Sequence, residues 1–200
     1  MNIGEIKTVV RTALGRGNSL DEMLDIYIKN AIMRIERRRP WYYMFSTGVV
    51  NYNPLATNPE RLQLDGIQIR NVEFVRRKDR TIYYSHINPK QVIGLQSSNE
   101  NAYWLENGDT IVFAYDFAES FALEFGYYKM SAPSSTDSWE NWLTKNGADI
   151  IIGEVLTDLG NLIRNNEFAQ MYIVTLERNA SSLEQMDDDM RYANKQLQMR

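Results

Sequence analysis

A chain of 200 residues that is 44% hydrophobic buries a substantial core of its own, so its fold needs neither a metal nor a disulfide. It has no cysteine and one histidine, His86, which excludes disulfides, thiolate or histidine-rich metal sites and a cysteine nucleophile. The formal charge of −4 is unevenly spread, with +3 over residues 1–40, −2 over 41–130 and −5 over 131–200, a balance opposed to tight gripping of a nucleic-acid backbone.

Residues 2–14 place Ile3, Ile6, Val10 and Leu14 at helical spacing and stop at Gly15-Arg16-Gly17. Glu5, Lys7 and Arg11 interrupt the apolar positions, unlike the continuous centre of a signal peptide. No apolar run approaches the roughly 20 residues of a spanning helix. The expectation is synthesis in the cytoplasm with no membrane partner. Ser19 and Glu22 have the spacing of a capping box, and Leu20, Leu24, Tyr27, Ala31 and Ile35 then form one buried stripe. Pro40 disfavours helical geometry at Arg39 and ends this helix.

From Trp41 the period changes. Residues 41–52, 67–77, 80–85, 102–106, 110–115 and 121–129 are short, aromatic or β-branched, and separated by turn signals such as Asn53-Pro54, Asp65-Gly66 and Asn107-Gly108. Asn107-Gly108 between apolar runs is the usual signal for a type I′ hairpin. Residues 87–95 have the composition of a brief helix between strands. Residues 131–138, SAPSSTDS, read as a linker. Helical spacing returns at Trp139 and Trp142 and breaks at Asn146-Gly147. A helix from Ile150 to Ile163 and a long last helix from Phe168 to Met190 follow.

The pattern predicts an α+β fold. Residues 1–40 and 138–192 form an antiparallel four-helix bundle from both chain ends, residues 41–137 an inserted small antiparallel β-sandwich or barrel, and residues 193–200 a flexible C-terminal tail. No glycine-rich phosphate loop is present, and His86 has no partner spacing that suggests a triad. Acids such as Asp109, Asp116 and Glu124 allow carboxylate pairs by chance alone. No cofactor, metal or catalytic residue is expected.

Three stretches carry a likeness: residues 24–41 (LDIYIKNAIMRIERRRPW), residues 107–115 (NGDTIVFAY) leading into 121–128 (FALEFGYY), and residues 142–178 (WLTKNGADIIIGEVLTDLGNLIRNNEFAQMYIVTLER). In this order the chain resembles the head–tail adaptor (connector) proteins of tailed double-stranded DNA bacteriophages, particularly the short-tailed podovirus type. The resemblance implies a structural virion protein at the head–tail interface. It would form a ring of about twelve copies beneath the portal, extend the DNA channel, let DNA pass without specific binding, and hold the tail nozzle or tube protein. It also implies that the C-terminal segment docks on the portal protein, here through Tyr192, Lys195, Leu197, Met199 and Arg200.

Arg34, Arg37, Arg38 and Arg39 crowd the end of the second helix, where cations gain from the macrodipole. They read as a solvated helix end, as partners of acids on a neighbouring subunit, or as phosphate contacts. Arg34, Arg37, Arg38, Trp41 and Tyr43 are therefore intersubunit candidates. Arg76-Arg77-Lys78-Asp79-Arg80 reads as a hairpin tip, and Asp187-Asp188-Asp189 as a solvated helical face. For an adaptor, Glu154, Asp158 and Glu167 are channel-lining candidates, since like charges do not capture phosphates. The rival readings are another tail or head-completion structural protein and a carbohydrate-active hydrolase.

Overall fold

A computed structural model describes residues 1–15, 21–64, 69–79, 83–88, 102–114 and 117–198, with the backbone alone at residues 21 and 194–198. The fold is mixed α+β, with a nearly closed, barrel-like sheet and five helices among the described residues. Two compact units form, one of residues 1–43 with 131–200 and one of residues 44–130.

The unit of residues 44–130 holds seven strands: β1 (Phe45–Tyr52), β2 (Arg61–Gln63), β3 (Ile69–Arg77), β4 (Tyr83–His86), β5 (Ala102–Glu106), β6 (Thr110–Phe113) and β7 (Phe121–Lys129). Their order in the sheet is β1-β7-β3-β4-β5-β6-β2. Neighbours run antiparallel except β4 and β5, which pair in parallel through Ser85 with Ala102 and His86 with Tyr103. The expected all-antiparallel arrangement is corrected here, because the chain between β4 and β5 is long enough for a crossover. Trp41 and Tyr42 do not join β1. A 3₁₀ turn over Tyr42–Met44 delays the strand to Phe45.

Alternation on β7 sends Phe121, Leu123, Phe125 and Tyr127 into one core with Tyr52, Val75, Tyr84, Tyr103, Ile111 and Phe113. Tyr52 stacks on Phe121 at 4.9 Å, and its hydroxyl accepts the Phe117 N–H at 3.0 Å, so the buried phenol is satisfied. The β5–β6 turn has φ of 53° at Asn107 and 77° at Gly108, the positive pair a type I′ turn requires. Strand pairing resumes one residue late, at Glu106 with Thr110. The helix expected over residues 87–95 lies almost wholly outside the described residues, as do Asp116 and the Ser19 end of the expected capping box.

The other unit holds α1 (Ile3–Leu14), α2 (Asp21–Arg38), α3 (Trp142–Asn146), α4 (Ala148–Leu162) and α5 (Asn166–Gln198). A capping box starts α1: the Asn2 side chain accepts the Glu5 N–H at 2.9 Å, and Glu5 accepts the Asn2 N–H at 3.0 Å. Gly15, with φ of 62°, closes it. A second box of Asn141 and Thr144 makes the five-residue α3 a separate helix before Gly147, so five helices stand where four were expected.

Helix α4 is the hub of this unit, touching each of the other four helices. Burial nearly all round it, at Ile150, Ile151, Val155, Leu156 and Leu159, follows from that position. Gly147, Gly153 and Gly160 face α5 so closely that an added Cβ would lie 3.0 Å from Leu183, 3.2 Å from Leu176 and 3.0 Å from Phe168. The order of these contacts makes α4 and α5 antiparallel.

The stretch read as a linker is pinned to α1. Gly4 N–H donates to the Asp137 carbonyl at 2.9 Å, and Ile3 N–H to the Trp139 carbonyl at 3.1 Å. Lys7, buried, reaches both Asp137 and Asp25 at 2.7 Å. Burial pulls the Lys7 ammonium down, but its bonds to Asp137 and Asp25 outweigh that and hold it above the usual lysine value. Residues 193–198, set apart above as a tail, continue the helical backbone of α5.

Gly126 lies on β7 beneath the Phe74 ring, where an added Cβ would fall 2.4 Å from a ring carbon. Gly126→Ala is expected to cost about 1–3 kcal/mol by overpacking, read as a lowered urea midpoint with unchanged slope. An unaltered midpoint would mean that Phe74 does not cover this position.

Candidate functional site

The distinctive cluster forms where α2 ends. Pro40 stops the helix, and residues 40–43 then run against α2 and α5 instead of into solvent. Four contacts hold them. Trp41, buried, donates its indole N–H to the Ile35 carbonyl at 2.8 Å, and the Tyr42 N–H donates to Asp187 Oδ1 at 2.5 Å. Arg191 donates to the Pro40 carbonyl, and the Tyr43 hydroxyl donates to Glu36 Oε1 at 2.9 Å.

Asp187 is fully buried and its charge is compensated from three sides. Besides Tyr42, its Oδ2 accepts Arg191 Nε at 3.0 Å and sits 3.2 Å from Arg39. Arg39 also reaches Asp188 at 2.5 Å and lies over the Trp41 ring at 5.4 Å. The solvated acidic face expected at residues 187–189 is thereby corrected. Successive helical residues point about 100° apart, so Asp187 faces inward while Asp189 is exposed.

Glu36 makes the second buried carboxylate. Its Oε2 accepts the Ser131 N–H at 3.0 Å while Oε1 holds Tyr43, so one side chain grips the chain at residue 43 and again at residue 131. Tyr43 stacks on Trp142 at 4.9 Å, and burial together with the Glu36 charge pushes its phenol well above the ordinary tyrosine value. Sequence reading missed Glu36 and Arg191, and took Asp187 for a solvated acid. The one available signal was the i,i+4 spacing of Asp187 and Arg191.

Arg34 and Arg38 turn to α4. Arg34 bonds Glu154 at 3.0 Å and Asp158 at 2.6 Å, and Arg38 bonds the other oxygen of Glu154. These contacts also fix α2 antiparallel to α4. Two residues assigned to a neighbour and two assigned to a channel thus meet each other inside one chain, and Glu154 is buried there. Trp41 and Tyr43, also read as intersubunit, have their rings turned into the helical unit. Arg37 and Glu167 are exposed, and Tyr192 is 69% exposed. Lys195 and Leu197 lie on the α5 backbone with side chains outside the described set, and Met199 and Arg200 lie outside the described residues.

Features that pointed to chemistry are occupied structurally. Glu124 pairs with Arg76 at 2.5 Å, and Asp109 accepts the Thr110 hydroxyl at 2.9 Å. His86 is exposed with its ring edge toward Tyr103 at 5.4 Å. An open hollow of about 440 Å³, lined by Ala56, Asn58, Arg61, Gln63, Asn107, Asp109 and Thr110, is mainly polar. Among the described residues no group of three or more His, Cys, Asp or Glu is placed to hold a metal ion, and no helix is long and apolar enough to cross a membrane.

The whole arrangement is one of helices locked by buried charge. The model of the SU10 adaptor protein family matches residues 1–198. The chain belongs to this family. It is a bacteriophage adaptor, a structural component of the virion that meets other head or tail components. A search of curated proteins gives no match.

Two expectations follow for the adaptor. Asp187→Ala takes a buried partner from Arg39, Arg191 and the Tyr42 amide, and should cost about 3–5 kcal/mol, whereas the exposed Asp189→Asn should stay within about 0.5 kcal/mol; urea unfolding separates them. The Arg39 bond holds the Asp188 carboxyl below the usual range, and the Lys7 bond does the same for Asp137. Stability from both is present above the unfolded carboxylate value of about 3.9 and is lost as pH falls through the lower folded values. Unfolding midpoints should therefore drop below about pH 4, with a shallower decline in Asp188→Asn.

Proposed function

We propose that this adaptor is of the podovirus type and forms a ring of about twelve copies beneath the portal, extending the DNA channel and giving the tail nozzle or tube a platform. In this reading α1, α2, α4 and α5 act as one antiparallel four-helix bundle built from both chain ends. The contact of α4 with all of its neighbours supports that. The protein works by geometry and performs no catalysis.

The observation that carries the reading is the overhang of α5. Its 33 residues span about 50 Å against about 22 Å for the 15 of α4. Leu183 already lies opposite Gly147, the residue before α4 begins. About the last four turns therefore outrun the hub, are anchored in their first half by Asp187 and Arg191, and carry Tyr192 outward. That is the form of an arm held out for a partner, and the portal protein is the partner proposed, with Tyr192, Lys195, Leu197, Met199 and Arg200 as its contact residues. The −5 balance of residues 131–200 suits a channel through which DNA slides. Glu154 and Asp158 are already engaged by Arg34 and Arg38, so the channel proposal rests on the overall balance and not on those two acids.

Removing residues 192–200 should abolish co-sedimentation with purified portal while leaving the urea midpoint unchanged. Full-length chain on portal should appear as a closed ring by electron microscopy. Undiminished portal binding by the truncated chain would overturn the arm's role.

A further inference from the structure

Two stripes of exposed apolar side chains on the helical unit take no part in the junction. On α2, Ile26 is 59% exposed, and at helical spacing along the same face follow the half-buried Lys29 and Met33 and the exposed Arg37. On the α4–α5 hairpin, Ile163 is 45%, Met171 60% and Val174 70% exposed, with the exposed Glu167 and Glu177 at either end of the last two. Isolated exposed apolar residues are ordinary; what sets these faces apart is the charge beside them, basic on α2 and acidic on α5.

The placement of the helices says what covers them. Arg34 and Arg38 fix α2 antiparallel to α4, and Gly147, Gly153 and Gly160 fix α5 antiparallel to α4. Hence α2 and α5 run parallel to each other. Both turn their buried residues toward α4, Leu24, Ile28, Ala31 and Ile35 on one and Ala169 and Leu183 on the other. Their exposed residues lie on separate helices. Two different patches on one subunit are the elements of a heterologous, head-to-tail contact.

We propose that the α2 stripe of one copy packs against the α5 stripe of the next, helices parallel. This rests on the self-assembly reading above and adds which surfaces meet. Because both helices rise equally per residue, setting Lys29 level with Glu167 brings Met33 beside Met171, and leaves Ile26, one turn lower, level with the α4–α5 turn that carries Ile163. The same register puts Arg37 within one turn of Glu177. Apolar then meets apolar and basic meets acidic along the stripe. An antiparallel setting with Ile26 at Val174 would put Lys29 against Met171. The exposed Glu167 thus belongs to a joint between copies and not to a channel wall.

A stripe of about three turns buries less than the roughly 1,200–2,000 Å² of a standard stable interface. Two free copies therefore associate weakly, and trapping is the suitable readout. The chain has no cysteine, which makes cross-linking clean. Ile26→Cys mixed with Ile163→Cys and a short bis-maleimide should give a covalent dimer containing one of each. Either variant alone should give none, and the doubly substituted chain should give a ladder. Adding Glu167→Lys to the Ile163→Cys chain should lower the yield several-fold, and Lys29→Glu in the Ile26→Cys chain should restore it. Leu55→Cys, at a position 92% exposed in the strand unit, sets the level of random capture. A mixed yield no higher than that control overturns the proposal, as do equal homodimers from the single variants. A ladder without portal binding would sink the portal reading alone, whereas rings on portal without cross-linking would sink this contact alone.

Discussion

The carboxylate of Asp187 is the constraint on which the helical unit depends. A buried charge is costly unless several donors surround it, and here the donors come from distant parts of the chain: Arg39 at the end of α2, the Tyr42 amide after Pro40, and Arg191 one turn along α5. Satisfying one atom group therefore fixes the end of α2, the course of residues 40–43 and the angle of α5 at once. Glu36 repeats the device from the other side, holding residues 43 and 131. Together the two acids turn a proline-stopped helix end, which would otherwise fray, into a rigid corner.

Much of the local structure was legible in the sequence. Period 3.6 marked α1, α2, α4 and α5, and period 2 with turn residues marked six of the seven strands among the described residues, because burial on one face leaves that trace directly. The boundary at Pro40 is a steric fact of the residue before proline. Short-lived patterns were not legible. Three residues of β2 carry no period, and the parallel pairing of β4 with β5 depends on a crossover that no local pattern encodes.

The site was the least legible part, for a physical reason. Charge clusters look alike whether water or protein surrounds them. Arg34 and Arg38 read as surface because their partners, Glu154 and Asp158, lie more than a hundred residues away. Asp187 read as one of three solvated acids, and only the helix phase set by Leu183 and the glycine seam on α4 turns it inward. The seam itself, Gly147, Gly153 and Gly160, was visible as composition but looked like a set of helix weaknesses. Its role in close approach emerges only when α5 lies against it.

Internal neutralisation decides what the helical unit has left to offer. Had Arg34, Arg38, Glu154 and Asp158 remained on the surface, α2 would have presented a dense cationic face, attractive to any anion and selective for none. Pairing them within the chain leaves the outward face of α2 with sparse basic charges around Met33, and that of α5 with acidic ones around Met171 and Val174. Such a pattern favours one register of one helix against another, since a slip along the axis sets charge against apolar surface. The buried acids thus do two jobs in sequence. Asp187 and Glu36 make the corner rigid, while Glu154, by taking up Arg34 and Arg38, leaves behind a surface whose specificity comes from spacing and not from net charge.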